Sequence, residues 1–170
     1  QPYGTRVHLC VTNFDSAELE VLLGDITARQ HLIDQLVVWQ NDTGVHGINI
    51  DFEGLPSSRR AELVQFTADL EAAVGEVVLA TPAVDWSGAW DYSGLTLYAD
   101  LFIMGYGYHW GGSSQAGPTD PLYSGTGTVW SGSHSLQWTV DDYLYYGADP
   151  DRVILGLPLY GYSYPTASDT

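Results

Sequence analysis

The sequence predicts an α/β fold built on a parallel sheet or barrel. Short apolar segments typical of strands alternate along the chain with segments whose apolar residues recur at helical spacing. The strand segments are apolar enough to be buried on both faces, as in parallel sheets that are covered by helices. The length of 170 residues fits one domain, and we expect a single domain over residues 1–170.

Two strands and two helices are predicted in the first half of the chain. Residues 6–13 form an apolar run typical of a strand that leads into a loop. Residues 25–40 carry an apolar stripe at three- and four-residue spacing, which predicts a helix. The strand 46–53 follows, and a second helix is predicted over 57–74 because one side is apolar and Gly75 stands just past its end.

The second half adds three strands, a helix and a long loop. Strands are predicted over 77–83, 98–106 and 152–160 from their apolar runs. The segment 111–132 is rich in Gly, Ser, Thr and Pro and predicts a surface loop of the length that often serves as a lid or a binding wall. The last helix is predicted over 139–146, with its first residue as the N-cap.

The composition limits the classes of ligand. The formal net charge is −16, with five Arg and no Lys, so the surface repels nucleic acid and anionic membranes and suits a neutral, hydroxyl-rich substrate. Acidity that serves solubility alone gives the same composition. No apolar run approaches the length of a membrane span, and we expect no membrane insertion. Cys10, the single cysteine, lies in an apolar run and is predicted to be a buried structural thiol.

The segment 45–53 is the most informative part of the chain. If it is a strand, Asn49, Asp51 and Glu53 share one face and the apolar residues between them share the other. Burying carboxylates costs several kcal/mol unless they are compensated or used, which indicates an active site. The Cα atoms of Asp51 and Glu53 would be roughly 6.6 Å apart, so one carboxyl can hold a proton while the other stays ionised. A pair with one protonated and one ionised carboxyl suits glycosidic bond cleavage, in which one group must protonate the leaving oxygen.

Other interpretations of this pattern remain open. An exposed antiparallel sheet with one polar face shows the same alternation. A metal site using His46, Asp51 and Glu53 is disfavoured, because His46 and Asp51 lie an odd number of positions apart and face opposite sides of a regular strand. A Gly-x-Ser-x-Gly nucleophile motif and a phosphate-binding glycine loop are both missing from the sequence.

Four segments resemble family 18 glycoside hydrolases, the chitinase-like (β/α)8 TIM barrels. Residues 46–53 are similar to the Asp-Gly-x-Asp-x-Asp-x-Glu signature, and 104–107 to the Met-x-Tyr-Asp of the sixth strand. Residues 156–161 are similar to the Gly-x-Pro-x-Tyr-Gly of the seventh strand, and 117–122 to the loop after strand six. The Asn-Ile-Asp-Phe-Glu form is most similar to the spore-cortex and cell-wall N-acetylglucosaminidase branch.

The resemblance implies substrate-assisted, retaining hydrolysis of β-1,4-linked N-acetylglucosamine glycans, either peptidoglycan or chitin. It makes Glu53 the general acid and later the base, and Asp51 the group that orients the substrate acetamido. It makes Tyr106 a hydrogen-bond donor to that acetamido, Asn49 a support for Asp51, and Met104 the floor of the site. It implies no metal or organic cofactor, and a secreted or cell-envelope location. The sugar platforms it suggests are Trp86, Trp110 and Tyr160.

The chain also departs from the family pattern. His46, Asn49 and Gly107 stand where the family has Asp, and Tyr162 stands where it often has Arg. The matching segments correspond only to about strands three to seven, so we expect a partial barrel. Its open edges favour either a fragment of a larger barrel or self-association. A non-hydrolytic sugar-binding relative and an unrelated α/β interaction domain are the alternative functions.

Overall fold

The structure is a computed structural model that describes residues 3–126 and 131–165. Its centre is a five-stranded sheet in which all neighbouring strands are parallel and follow one another in chain order. This sheet confirms the predicted parallel α/β fold. A short antiparallel pair, β5 Gly125–Thr126 and β6 Ser131–Gly132, lies outside it. The strands of the main sheet are β1 His8–Asn13, β2 Gly47–Phe52, β3 Val77–Pro82, β4 Asp100–Met104 and β7 Val153–Gly156.

Helices cover one side of this sheet. They are α1 Ser16–Gly24, α2 Ile26–Thr43, α3 Arg60–Val74, α4 Tyr92–Leu95 and α5 Leu136–Tyr145, with 3-10 turns at Ser57–Arg59 and Pro150–Arg152. The sequence predicts a loop after residue 13, and that prediction is wrong where α1 forms. The Asp15 carboxylate caps α1 by accepting hydrogen bonds from two backbone N–H groups. Leu19 and Leu23, four residues apart, are fully buried.

One face of β2 is apolar and packed against helices, and the other face is polar. Ile50 and Phe52 are each only 2% exposed and pack against the helices. The ring of Phe52 stacks on that of Phe66 in α3, with ring centres 6.2 Å apart. The other face carries Asn49 and Asp51 and is called the inner face below. Burial of the apolar face therefore fixes which way the two polar side chains point.

The beginning of α5 differs from the prediction. The predicted N-cap, Thr139, lies inside the helix, and Ser135 caps it one turn earlier by accepting a backbone hydrogen bond. The Thr139 hydroxyl instead donates to the carbonyl of Ala83 at 2.7 Å. The hydroxyl of Tyr143, a fully buried residue, donates to the carbonyl of Pro82 at 2.6 Å. These two bonds dock α5 on the end of β3, and the tertiary contact overrides the local capping signal.

At the two edges of the sheet, the strands are less buried than predicted. Among the described residues, β1 and β7 are each paired on one side only. Cys10 is exposed, not buried as predicted, because it lies opposite Asn49 on the inner face of the edge strand β1. Likewise Ile154 on β7 is 44% exposed, so the prediction that every strand is buried on both faces is wrong at the edges. The expected pairing of these edges stays a prediction.

The remaining expectations concern the long loop and the membrane. The predicted loop 111–132 contains β5 and β6, and its residues 127–130 lie outside the described part of the chain. Within the two described ranges, no helix combines the length and the apolar character that crossing a bilayer requires.

Candidate active site

The polar end of β2 supplies the central side chains of the site. Asn49 and Asp51 lie on the inner face, and the backbone N–H of Glu53 continues the ladder by donating to the Asn13 carbonyl at 3.0 Å. Gly54 then turns the chain with a φ of 72°, a value that favours glycine. The Asp51 and Glu53 side chains therefore leave the sheet together at the carboxyl ends of its strands.

Two acceptor atoms in this segment are unsatisfied. Among the described residues, Oδ1 of Asn49 and Oδ1 of Asp51 are buried and have no hydrogen-bond partner. Leaving a buried polar atom unpaired costs about 1–3 kcal/mol. Such a cost at Asp51, which lines a cleft, is typical of a site where a bound ligand supplies the missing hydrogen bond.

Asp51 and Glu53 open into a cleft of about 520 Å³. Its walls come from the segments that follow β2, β3, β4 and β7, as expected for a site at the carboxyl ends of parallel strands. Six of the eight sequence-predicted site residues line it: Asp51, Glu53, Trp86, Met104, Tyr106 and Tyr160. The other lining residues are Pro82, Ala83, Val84, Gly107, Tyr108, His134 and Tyr162.

A tight turn after β4 positions Tyr106. The N–H of Gly105 donates to the carbonyls of Ile103 and Gly156 at 2.9 and 3.0 Å. A Cβ on Gly105 would lie 2.5 Å from the Gly156 oxygen, so the neighbouring strand end requires glycine here. Gly107 has a φ of 79°, which likewise favours glycine where the family pattern has Asp. Tyr106 is thus held between two glycines, two residues past the end of β4 rather than within it as predicted.

Aromatic side chains form part of the cleft wall. The rings of Tyr106 and Tyr160 meet edge to face with their centres 6.1 Å apart. The strand β7 ends at Gly156, so Tyr160 lies in the segment beyond it and not at the strand end as predicted. Trp86 is 80% exposed, and its ring contacts His134 edge to face at 4.9 Å. These rings offer stacking surfaces to a ligand in the cleft.

The electrostatics of the cleft favour protonated acids. Burial raises the pKa of the Asp51 carboxyl. Burial, and then the nearby charge of Asp51, raise the pKa of Glu53. Burial raises the pKa of the Tyr106 hydroxyl, and the charges of Tyr160, Asp51 and Glu53 add to this effect. A carboxylic acid with a raised pKa beside an ionisable carboxylate is suited to donating a proton near neutral pH.

Two predicted site residues, Asn49 and Trp110, lie away from the cleft lining, and so does His46. Asn49 is deeper on the inner face than Asp51. Trp110 is more than half exposed and is not among the lining residues. The His46 ring accepts a hydrogen bond from the Val7 N–H before β2 begins, at the opposite end of the strand from the acids. This position rules out the His46–Asp51–Glu53 metal set, which the odd spacing of His46 and Asp51 already disfavours. In the described ranges, no three His, Cys, Asp or Glu side chains are close enough together to bind one metal ion.

His134 and Tyr108 line the cleft although the sequence does not predict them as site residues. His134 directly precedes Ser135, the N-cap of α5, and enters the cleft because α5 docks on the end of β3. The Tyr108 hydroxyl lies 2.5 Å from the Thr139 hydroxyl of the same helix. Both positions depend on the docking of α5, for which the sequence carries no local signal.

Comparison with known proteins identifies the family. The model of the family described as "Glycosyl hydrolases family 18" matches residues 10–170. The chain belongs to glycosyl hydrolase family 18. This confirms the resemblance that the motifs of β2, β4 and β7 indicate.

Two curated family relatives come from Bacillus subtilis. YvbX, named an uncharacterized glycosylase, is 28% identical over 91% of this chain and 44% of its own length. YdhD, provisionally named a sporulation-specific glycosylase, is 27% identical over 96% of this chain and 38% of its own length. The chain therefore spans less than half the length of these curated relatives.

Solved structures confirm the barrel-type fold. Catalytic domain 2 of the Group II chitinase of Ostrinia furnacalis matches with a TM-score of 0.83 and 21% identity, over 92% of this chain and 46% of that domain. The YdhD structure matches with a TM-score of 0.76 and 25% identity, over 91% of this chain and 52% of that one. The five-stranded sheet is thus similar to part of a family 18 barrel, as the sequence predicts.

Proposed function

We propose that the natural polypeptide hydrolyses β-1,4-linked N-acetylglucosamine glycans by a substrate-assisted, retaining mechanism. The observation that carries the proposal is the pair Asp51 and Glu53, which line one cleft with Tyr106 and have raised pKa values. Membership of family 18 supports glycan hydrolysis in general. The Ostrinia domain has also been crystallised, as a variant, with the chito-oligosaccharide (NAG)5.

In the proposed first step, Glu53 donates its proton to the glycosidic oxygen. The carbonyl oxygen of the substrate's own 2-acetamido group attacks C1, the C1–O bond breaks, and the leaving sugar departs as an alcohol. In the second step the Glu53 carboxylate takes a proton from a water molecule, which attacks C1 and opens the oxazolinium ion. Two inversions at C1 give net retention. Glu53 begins and ends the cycle protonated, which its raised pKa favours.

The neighbours of Glu53 stabilise this reaction path. Asp51 accepts a hydrogen bond from the acetamido N–H and balances the positive charge of the oxazolinium ion, a role that suits its unpaired Oδ1. Tyr106 donates to the acetamido oxygen, and Asn49 supports Asp51 from deeper on the inner face. Met104 forms the floor. Trp86 and Tyr160 are the proposed sugar platforms in the cleft, while Trp110 stays a predicted platform outside it.

We propose peptidoglycan ahead of chitin as the polymer. The Asn-Ile-Asp-Phe-Glu form of the signature and the likeness to two Bacillus glycosylases support this order. Such polymers lie outside the cytoplasmic membrane, so the proposal places the protein in the secreted or cell-envelope fraction.

A matched pair of chromogenic substrates tests the proposed mechanism. The natural polypeptide is expected to release 4-nitrophenol from a β-linked N-acetylglucosamine disaccharide. It should do so at least about 10³-fold more slowly from the analogue with a hydroxyl in place of the acetamido, because that analogue lacks the internal nucleophile. Equal rates on the two substrates would exclude substrate assistance.

One observation favours a second function, glycan binding without hydrolysis. Gly107 stands where the family pattern has Asp, and its φ of 79° commits the turn to glycine. A protein that only binds the oligomer would leave it uncleaved, and no product would form at any protein concentration. Product formation that Glu53→Gln abolishes would exclude this alternative.

A further inference from the structure

A second cavity, of about 400 Å³, lies next to the cleft and has no part in the proposed chemistry. One wall is the loop between β3 and α4, and the other is the exposed side of α5. Trp86 and His134 line both cavities and stand between them. A ligand chain that occupies the cleft can therefore extend past these two rings into the second cavity.

The α5 wall is a stripe with four-residue spacing. His134, Trp138, Asp142 and Tyr146 all line the cavity. The His134 ring meets the Trp138 ring edge to face at 4.4 Å, which continues the contact with Trp86. The residues that α5 buries in the core are Leu136, Thr139 and Tyr143, and none of them belongs to this stripe. Indole and phenol rings along one wall are the surfaces on which sugar rings stack.

Asp142 is the polar group that this cavity offers to a ligand. Among the described residues, none donates a hydrogen bond to its side chain, which is half-buried. The facing carboxylate, Asp85, is by contrast satisfied by the backbone N–H groups of the β3–α4 loop. Burial and the charge of Asp85 raise the pKa of Asp142, and His134 opposes them. An added cation would relieve this repulsion.

The one arginine in the cavity does not supply that cation. The Arg60 guanidinium donates to the carbonyls of Gly88 and Trp90 at 3.1 and 2.6 Å, and it lies 3.5 Å from the Asp91 carboxylate. Its charge is therefore already balanced within the loop. The cavity thus combines aromatic walls with a net negative charge, a combination that attracts an ammonium group through charge pairing and cation–π contact.

We propose that this cavity binds a sugar unit with a free primary amino group, whose ammonium pairs with the Asp142 carboxylate while its ring stacks on Trp138. The inference rests on the proposed function only in making this sugar a unit of the same glycan chain that enters the cleft. An N-acetylated unit has no charge to pair with Asp142. The cavity therefore distinguishes partly deacetylated glycan from fully acetylated glycan.

Tryptophan-fluorescence titrations test the proposal, with Glu53→Gln as the background that prevents turnover. Glucosamine tetramer and N-acetylglucosamine tetramer are each titrated against this protein and against the same protein carrying Asp142→Asn. We expect Asp142→Asn to weaken binding of the glucosamine tetramer about tenfold or more, as for loss of a charged hydrogen bond. Binding of the acetylated tetramer should change less than about twofold.

Asp141→Asn is the matched control, because Asp141 is the neighbouring exposed acid on α5 and does not line the cavity. It should leave both affinities unchanged, which separates the local carboxylate from net charge. An Asp142→Asn protein that melts at the same temperature and binds both tetramers as before would overturn the inference. Equal, Asp142-dependent binding of Nα-acetyl-lysine amide would also overturn it, since the site would then recognise any amine.

Failure of the proposed function gives a different result. If acetylated oligomers are neither bound nor cleaved, but glucosamine tetramer still binds in an Asp142-dependent manner, the proposed hydrolysis is wrong and the second site stands.

Discussion

Glu53→Gln is expected to reduce turnover of N-acetylglucosamine oligomers by about 10²- to 10⁴-fold, the usual contribution of a general acid–base. Glutamine keeps the size of the side chain, but its amide has no acidic proton to transfer to the leaving oxygen. Affinity for the oligomer should change only a few-fold, because the aromatic walls and Asp51 remain. Product release by chromatography gives kcat, and titration calorimetry gives Kd on the same protein.

Glu18→Gln is the control for this variant. Glu18 is an exposed acid on α1 and does not line the cleft, so its amide variant should keep full turnover. Unchanged turnover in Glu53→Gln would reject Glu53 as the acid and remove the basis of the proposed mechanism.

Asp51→Asn is expected to cost about 10²- to 10³-fold in kcat, as for removal of one group that stabilises developing charge. The variant should also change the pH profile. Asp51 raises the pKa of Glu53, so its removal lowers that pKa. The alkaline limb, where Glu53 loses its proton, should therefore move to lower pH. Steady-state rates measured over the pH range give both effects.

Asp34→Asn provides the comparison for this profile. Asp34 is exposed on α2, where it accepts a hydrogen bond from Gln30, and it does not line the cleft. Its removal should leave the limb in place. An alkaline limb that moves to higher pH in Asp51→Asn would contradict the electrostatic coupling of the two acids.

The parallel sheet and the β2 acids could be predicted from the sequence because both depend on local alternation. Ile50 and Phe52 face the helices, so Asn49 and Asp51 must face the other way. The family signature at the same residues gave an independent reason to expect a site, and the match over 10–170 agrees with it.

Features set by tertiary contacts could not be predicted in this way. Whether Ser135 or Thr139 caps α5 depends on Thr139 reaching Ala83 in another loop. The arrival of His134 in the cleft follows from that docking. Cys10 looked like a core residue because its apolar run gives no sign that β1 is an edge strand.

A crystal structure of the Glu53→Gln natural polypeptide with an N-acetylglucosamine oligomer would show whether Asp51, Glu53 and Tyr106 act together on the substrate acetamido. We expect a sugar unit in the cleft whose acetamido N–H lies within hydrogen-bond distance of Asp51. The acetamido oxygen should lie near C1 and the Tyr106 hydroxyl, and the scissile oxygen beside residue 53. If the oligomer bound elsewhere, or with its acetamido turned away from Asp51 and Tyr106, the proposed mechanism would be wrong.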